Sequence, residues 1–330
     1  MLLKYSPTCL LVGALLASTC QLHAQTETDA IMMNRTQFCA GFLYNHSSWN
    51  EYWEGTRKRN NLNLGTVTNQ SVMFMANYGI TDNLNVMVGA PYVWTNASAG
   101  TLKGMKGVQD LSLNVKWRGL NYAINKKSKL ALYAIGGFST PLQNYVIDYL
   151  PLSVGLGSTN FTGRLMVDYK YNRWFATLWG AYTYRNNIKL DRADYYDTEG
   201  HNGNEVRMPD QSTFQLRAGY RGKYLIAEAT LTRLHTIGGF DITRNNMPFP
   251  SNQMNSSVAG AGFKYTLKQH TNLSFLGSFG YTFRGLDVNG NYFLDSRNVG
   301  KSTSFSGGIF YAIYTKKSAR KTANNNTNQP

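Results

Sequence analysis

The residues best suited by type to do chemistry meet in one short stretch. Tyr44-Asn45-His46-Ser47-Ser48-Trp49-Asn50-Glu51 contains a His-x-Ser pair, His46 and Ser48. On a strand, residues two apart share a face. There an imidazole can activate the hydroxyl as a nucleophile, provided that a third group, Asn50 or Glu51, orients the base. A two-residue motif is a weak signal. Tyr44, Trp49, Tyr52 and Trp53 around it equally make an interfacial aromatic band. A second set is charged: Asp110, Lys116, Arg164, Asp168, Arg217, Glu228, Lys264 and Arg284. Each is assigned to the polar face of an alternating segment, and acids and bases are interleaved. A third set is the basic run Arg57-Lys58-Arg59, whose residue types suit phosphate groups. The acidic and aromatic run from Asp191 to Asp197 lies in a long connection. No CxxC, HExxH or Walker-type loop occurs, so neither a metal nor another cofactor is expected.

The elements that position these residues follow from the pattern of hydropathy. Leu84, Val86, Val88, Ala90, Tyr92 and Trp94 alternate with Asn85, Met87, Gly89, Pro91, Val93 and Thr95. The same period of two recurs along the chain, as in 111–117, 161–170, 213–221 and 273–284. One face is apolar with aromatics at its ends, and the other is polar. Twelve strands follow, at about 36–48, 66–78, 83–95, 109–118, 129–139, 159–170, 173–185, 211–221, 224–235, 256–266, 272–284 and 302–314. Their connections alternate strictly between long and short, starting with a long one. Gly79-Ile-Thr-Asp-Asn83, Tyr171-Asn-Arg173 and Arg221-Gly-Lys223 are tight turns carrying residues that tolerate positive φ. Outer-membrane barrels sort their loops in this way, with short periplasmic turns and long external loops. A secreted soluble β-sandwich also alternates but has no reason to sort loop length by parity. The expected fold is all-β: an antiparallel transmembrane β-barrel of about twelve strands in the outer membrane of a Gram-negative bacterium.

The rest of the chain agrees with export. Residues 1–24 read as a signal peptide, with Lys4 ahead of an apolar core too short to span a bilayer. Residues 25–35 are a short N-terminal segment, too short to make a sizeable plug. Residues 36–314 form the barrel, and 315–330 a disordered periplasmic tail. Cleavage leaves Cys39 as the only cysteine, read as a small apolar strand residue. The formal net charge is +15. Removing Lys4 and the tail cations Lys316, Lys317, Arg320 and Lys321 lowers it to +10, spread thinly and without any nucleic-acid-binding signature. Nucleic acid is therefore excluded as a partner.

Tyr78-Gly79-Ile80-Thr81-Asp82-Asn83-Leu84-Asn85-Val86, then Pro91-Tyr92, Gly107 and Asp110-Leu111, resemble the MetA-pathway of phenol degradation family. These are outer-membrane barrels related to the long-chain fatty-acid channels. This chain has Gly107-Val108-Gln109-Asp110 where the family has Gly-x-Gly-Asp, and it lacks room for the long N-terminal hatch of the fatty-acid channels. The resemblance implies uptake of small hydrophobic or aromatic solutes. The strand count by itself gives a narrow lumen for passive diffusion, and the polar faces of the strands line it with the eight charged residues. Expected partners are that solute, outer-membrane lipid, lipopolysaccharide against Arg57, Lys58 and Arg59, and the barrel-assembly machinery. Two alternatives stay open. One is an acyl hydrolase of outer-leaflet lipid using His46 and Ser48, since outer-membrane phospholipases and lipid A deacylases are similar at this spot. The other is a structural or surface-binding barrel without transport.

Overall fold

The computed structural model describes residues 25–54, 57–242, 248–283 and 302–313. Twelve long strands dominate: β1 (Phe38–Trp49), β2 (Val67–Thr81), β3 (Leu84–Ala97), β4 (Asp110–Ala123), β5 (Ser128–Pro141), β6 (Asn160–Tyr171), β7 (Trp174–Arg185), β8 (Asp210–Arg221), β9 (Leu225–Ile237), β10 (Ser256–Thr266), β11 (Leu273–Phe283) and β12 (Ser302–Ile313). Each pairs antiparallel with its chain neighbours, and β1 pairs with β12 from Phe38↔Ile313 to Trp49↔Ser302. The ring is thereby closed, and among the described strands no long edge is left unpaired.

Period two decides which side chains face out. Phe42, Phe74, Leu113, Val115, Leu178, Leu216, Phe263, Phe279 and Ile309 point away from the barrel and are exposed, and Leu165 is 72% exposed. In water such a surface would be an aggregation hazard. In a bilayer it is the apolar band a barrel needs. Aromatics bound this band at both ends: Tyr44, Tyr92, Trp94 and Phe161 on one side, Tyr122, Tyr171, Trp174 and Tyr220 on the other. These features define a transmembrane β-barrel of the outer-membrane type.

The loop parity holds. At one end the turns are short. Asn172, between β6 and β7, takes φ 53°, which Asn tolerates better than most residues. Asn125 caps the β4–β5 turn by accepting from the N–H groups of Lys127 and Ser128, both at 2.8 Å. At the other end the connections are long and fold on one another. Residues Glu51–Glu54 and Arg57–Asn60 form a hairpin above β1. Ile188, Leu190, Val206, Met208, Phe240 and Phe249, from two further loops, share a small apolar core.

Two expectations change. The fourth strand does not stop at 118. A bulge between Arg118 and Leu120 shifts the register and carries β4 on to Ala123. At its other end, β4 gives way at Gln109 to the short stretch Lys106–Val108, which continues alongside β3. Pro91 lies opposite this break. It has no N–H to donate, and its carbonyl accepts from the Gln109 N–H at 2.9 Å. The expected lumen residue Arg284, the expected signal peptide 1–24 and the tail 315–330 lie outside the described residues.

Candidate functional site

The inside of the barrel holds a segment of its own chain. Residues 25–37 precede β1, turn inward at the end that carries the short turns, and cross the lumen. The sequence reading treated this stretch as too short for a sizeable plug and placed nothing of it in the lumen. The structure seats these few residues inside the barrel, where a ring of twelve strands is narrow enough for them to reach the wall on several sides.

The segment is fixed by bonds to nearly every side of the wall. Asn77 on β2 donates from Nδ2 to the Gln25 carbonyl at 2.7 Å. The Asn85 amide on β3 lies 2.8 Å from the Gln25 side chain. With its oxygen turned inward, it accepts from the Met33 N–H at 2.6 Å. Tyr133 on β5 donates its hydroxyl to the Ala30 carbonyl at 2.9 Å. Arg164 on β6 donates to the Glu27 carbonyl at 2.5 Å. Arg217 on β8 donates to the Thr28 hydroxyl at 2.7 Å. Apolar contacts complete the seat. Met33 packs with Cys39, Met75, Phe310 and Ala312, and Ile31 with Phe175 and Ile226.

Lys116 on β4 is the centre of this arrangement and is 0% exposed. Its Nζ donates to the carbonyls of Thr26 at 2.7 Å, Asp29 at 2.6 Å and Ile31 at 3.3 Å, and to Asp29 Oδ1 at 3.2 Å. An ammonium taken out of water must be paired and hydrogen-bonded, or it costs several kcal/mol. Here the segment supplies every oxygen. Asp29 lies in the segment, outside the spanning strands. Burial pushes its carboxyl up, but the nearby Lys116 and Arg217 charges and the N–H groups of Ile31 and Thr26 hold it below the ordinary carboxylate range.

Of the eight charged residues assigned to the lumen, three touch the segment and three more, Asp168, Glu228 and Lys264, are buried or half-buried in the wall. Lys116, Arg164 and Arg217 grip the segment directly. Arg217 also forms an ion pair with Glu228. Asp168 accepts from Thr177 at 2.6 Å and pairs with Arg221 at 3.1 Å. Lys264 is buried on the same inner face. Arg221 is a member that sequence reasoning missed, although its spacing of four from Arg217 placed it on the same strand face. Asp110 stands apart at the far end of β4. It accepts from the Tyr145 hydroxyl at 2.9 Å, and burial together with this carboxylate pushes the Tyr145 hydroxyl up.

The residues singled out for hydrolysis do not assemble. His46 and Ser48 share the outer face of β1, yet the His46 ring stacks on Phe305 with centroids 4.8 Å apart. The Ser48 hydroxyl pairs with Thr303 Oγ1 at 3.3 Å. No hydrogen bond joins His46 to Ser48 among the described residues, and Asn50 supplies only its backbone carbonyl to the Asn61 N–H at 2.8 Å. In the basic run, Lys58 pairs with Glu51 at 2.7 Å and Arg59 with Glu54 at 2.8 Å, while Arg57 is exposed. In the acidic run, Arg192 pairs with Asp148, and the Tyr195 ring stacks on Phe249 at 5.6 Å.

The architecture has solved counterparts. An outer membrane channel from Pseudomonas putida F1 matches with a TM-score of 0.64 and 13% identity, over 88% of this chain and 100% of that one. A FadL homologue from Pseudomonas aeruginosa matches with a TM-score of 0.38 and 10% identity, over 84% and 90% of the two chains. The first likeness shows the barrel fold; the second is too distant to add to it. No family model and no curated protein matches the sequence.

Proposed function

We propose that the protein is a passive outer-membrane channel for small hydrophobic or aromatic solutes, closed in its resting state by residues 25–37. The observation that carries this reading is the barrel itself: a closed ring with an apolar outside, a polar inside and a segment of its own chain seated in the lumen. The resemblance to the MetA-pathway of phenol degradation family supports the solute class, and the Pseudomonas putida channel supports the transport role. Chemistry at His46 and Ser48 has no geometric support, since each side chain is engaged by a different residue of β12. Arg57, with Lys58 and Arg59 beside it, is a contact for lipopolysaccharide phosphates at the outer rim. The test is purified protein in planar bilayers and in liposomes. Conductance and solute-dependent uptake of phenol or toluene are expected. A barrel that gives neither overturns the reading.

A further inference from the structure

A passive path for uncharged solutes does not account for the cations collected in the lumen. Glu228 pairs with Arg217, and Asp168 with Arg221. Lys116 and Arg164 have no such wall partners among the described residues. Every hydrogen bond of Lys116 Nζ goes to the segment, and so does the one that Arg164 makes, to the Glu27 carbonyl. Arg164 Nε is buried with no hydrogen-bond partner among the described residues. Remove residues 25–37 and two wall cations face an empty cradle.

That cradle has an apolar end beside its charged end. Ala30 directly follows Asp29, and it packs among Ala131, Tyr133, Ile135, Met166 and Trp179. The Arg164 guanidinium lies 4.3 Å from the centre of the Trp179 ring. A carboxylate on Lys116 and an apolar group against Tyr133 and Trp179 are thus one residue apart in the segment. A free molecule with the same two parts is a small aromatic carboxylate: its anionic head satisfies Lys116 and Arg164, and its ring lies on the aromatic floor.

We infer that this seat is a binding site for small aromatic carboxylates, and that residues 25–37 are its built-in occupant, which such a solute displaces. The inference rests on the channel reading and narrows its solute class.

The experiment uses the full chain in planar bilayers for the open fraction and in liposomes for uptake, with benzoate, benzamide and acetate as probes. Benzoate has both parts, benzamide lacks the charge, and acetate lacks the ring. Benzoate is expected to raise the open fraction and to be carried in preference to the other two. Lys116→Gln and Arg164→Gln, alone and together, are expected to raise the open fraction without any probe. They are also expected to lower the preference for benzoate over benzamide by about tenfold, the effect of losing one charged hydrogen bond. A heat-dependent shift on a denaturing gel shows that each variant has folded. A conducting wild type that treats benzoate and benzamide alike overturns the inference while leaving the channel reading intact. So does a variant that conducts and keeps the full preference. A folded wild type that carries no current in any salt overturns both.

Discussion

Lys116 and Asp29 are the pair on which the closed state depends most. Replacing Lys116 with Met removes the ammonium from the carbonyls of Thr26, Asp29 and Ile31 and leaves the buried Asp29 carboxylate with only the Ile31 and Thr26 N–H groups and the Thr26 hydroxyl. Breaking one side of a buried pair costs about 3–5 kcal/mol. The expected outcome is release of residues 25–37, read as faster proteolysis of that segment and higher basal conductance, with the barrel still shifting on heating. Acid acts on the same contact. The Asp29 carboxyl is held below its ordinary value in the folded seat. Its contribution is therefore fully present above the ordinary carboxylate range and is lost as pH falls through the lowered value. Conductance is expected to rise as the pH is taken below 4, and Asp29→Asn is expected to be open already and flat across that window. An unchanged acid response in Asp29→Asn would assign the opening to another group.

On the scale of the strands, period two sorts every side chain between lipid and lumen, so the same substitution has opposite effects on adjacent residues. Leu165 and Arg164 are neighbours on β6, one facing lipid and the other the lumen. Leu165→Arg puts a cation near the middle of the apolar band and is expected to cost about 2–4 kcal/mol. The measurement is the urea midpoint of folding into lipid vesicles. The long loops form a separate unit. Phe249 stacks on Tyr195 at 5.6 Å and lies 5.9 Å from the Phe240 ring. Phe249→Ser is expected to loosen this external cluster by roughly 3 kcal/mol, in the range of aromatic truncations in cores. Protease would then reach 186–209 sooner, with the strands unaffected.

For the whole molecule, transport requires residues 25–37 to move while the ring stays closed. Ala30 and Ala131 belong to one buried cluster. Ala30→Cys combined with Ala131→Cys is expected, once oxidised, to hold the segment in place and abolish conductance, and reduction is expected to restore it. Current that persists through a disulfide verified by gel mobility would show that solutes pass beside the segment rather than in its place. The closed ring also fixes the sidedness of the device. Short turns mark the periplasmic end, and the segment enters there, so the seat is reached from outside only through the polar upper lumen.

Much of this was legible along the chain. Alternating hydropathy and loop lengths sorted by parity are local signals. They sufficed for twelve strands, for the apolar outside, and for a polar inside carrying Lys116, Arg164, Asp168, Arg217, Glu228 and Lys264. They misplaced the end of β4 because a bulge interrupts period two at Gly119. They could not show that residues 25–37 run up the lumen, since the contacts that hold them reach from Gln25 to Asn77, from Asp29 to Lys116 and from Thr28 to Arg217. Nor could they show that His46 meets Phe305 and Ser48 meets Thr303, pairs that exist only because the first strand closes on the last. Which face a residue takes depends on the pleat and its nearest neighbours, so the sequence determines it alone. What that residue touches depends on ring closure and on the width of the enclosed space, and those were settled only by the tertiary structure.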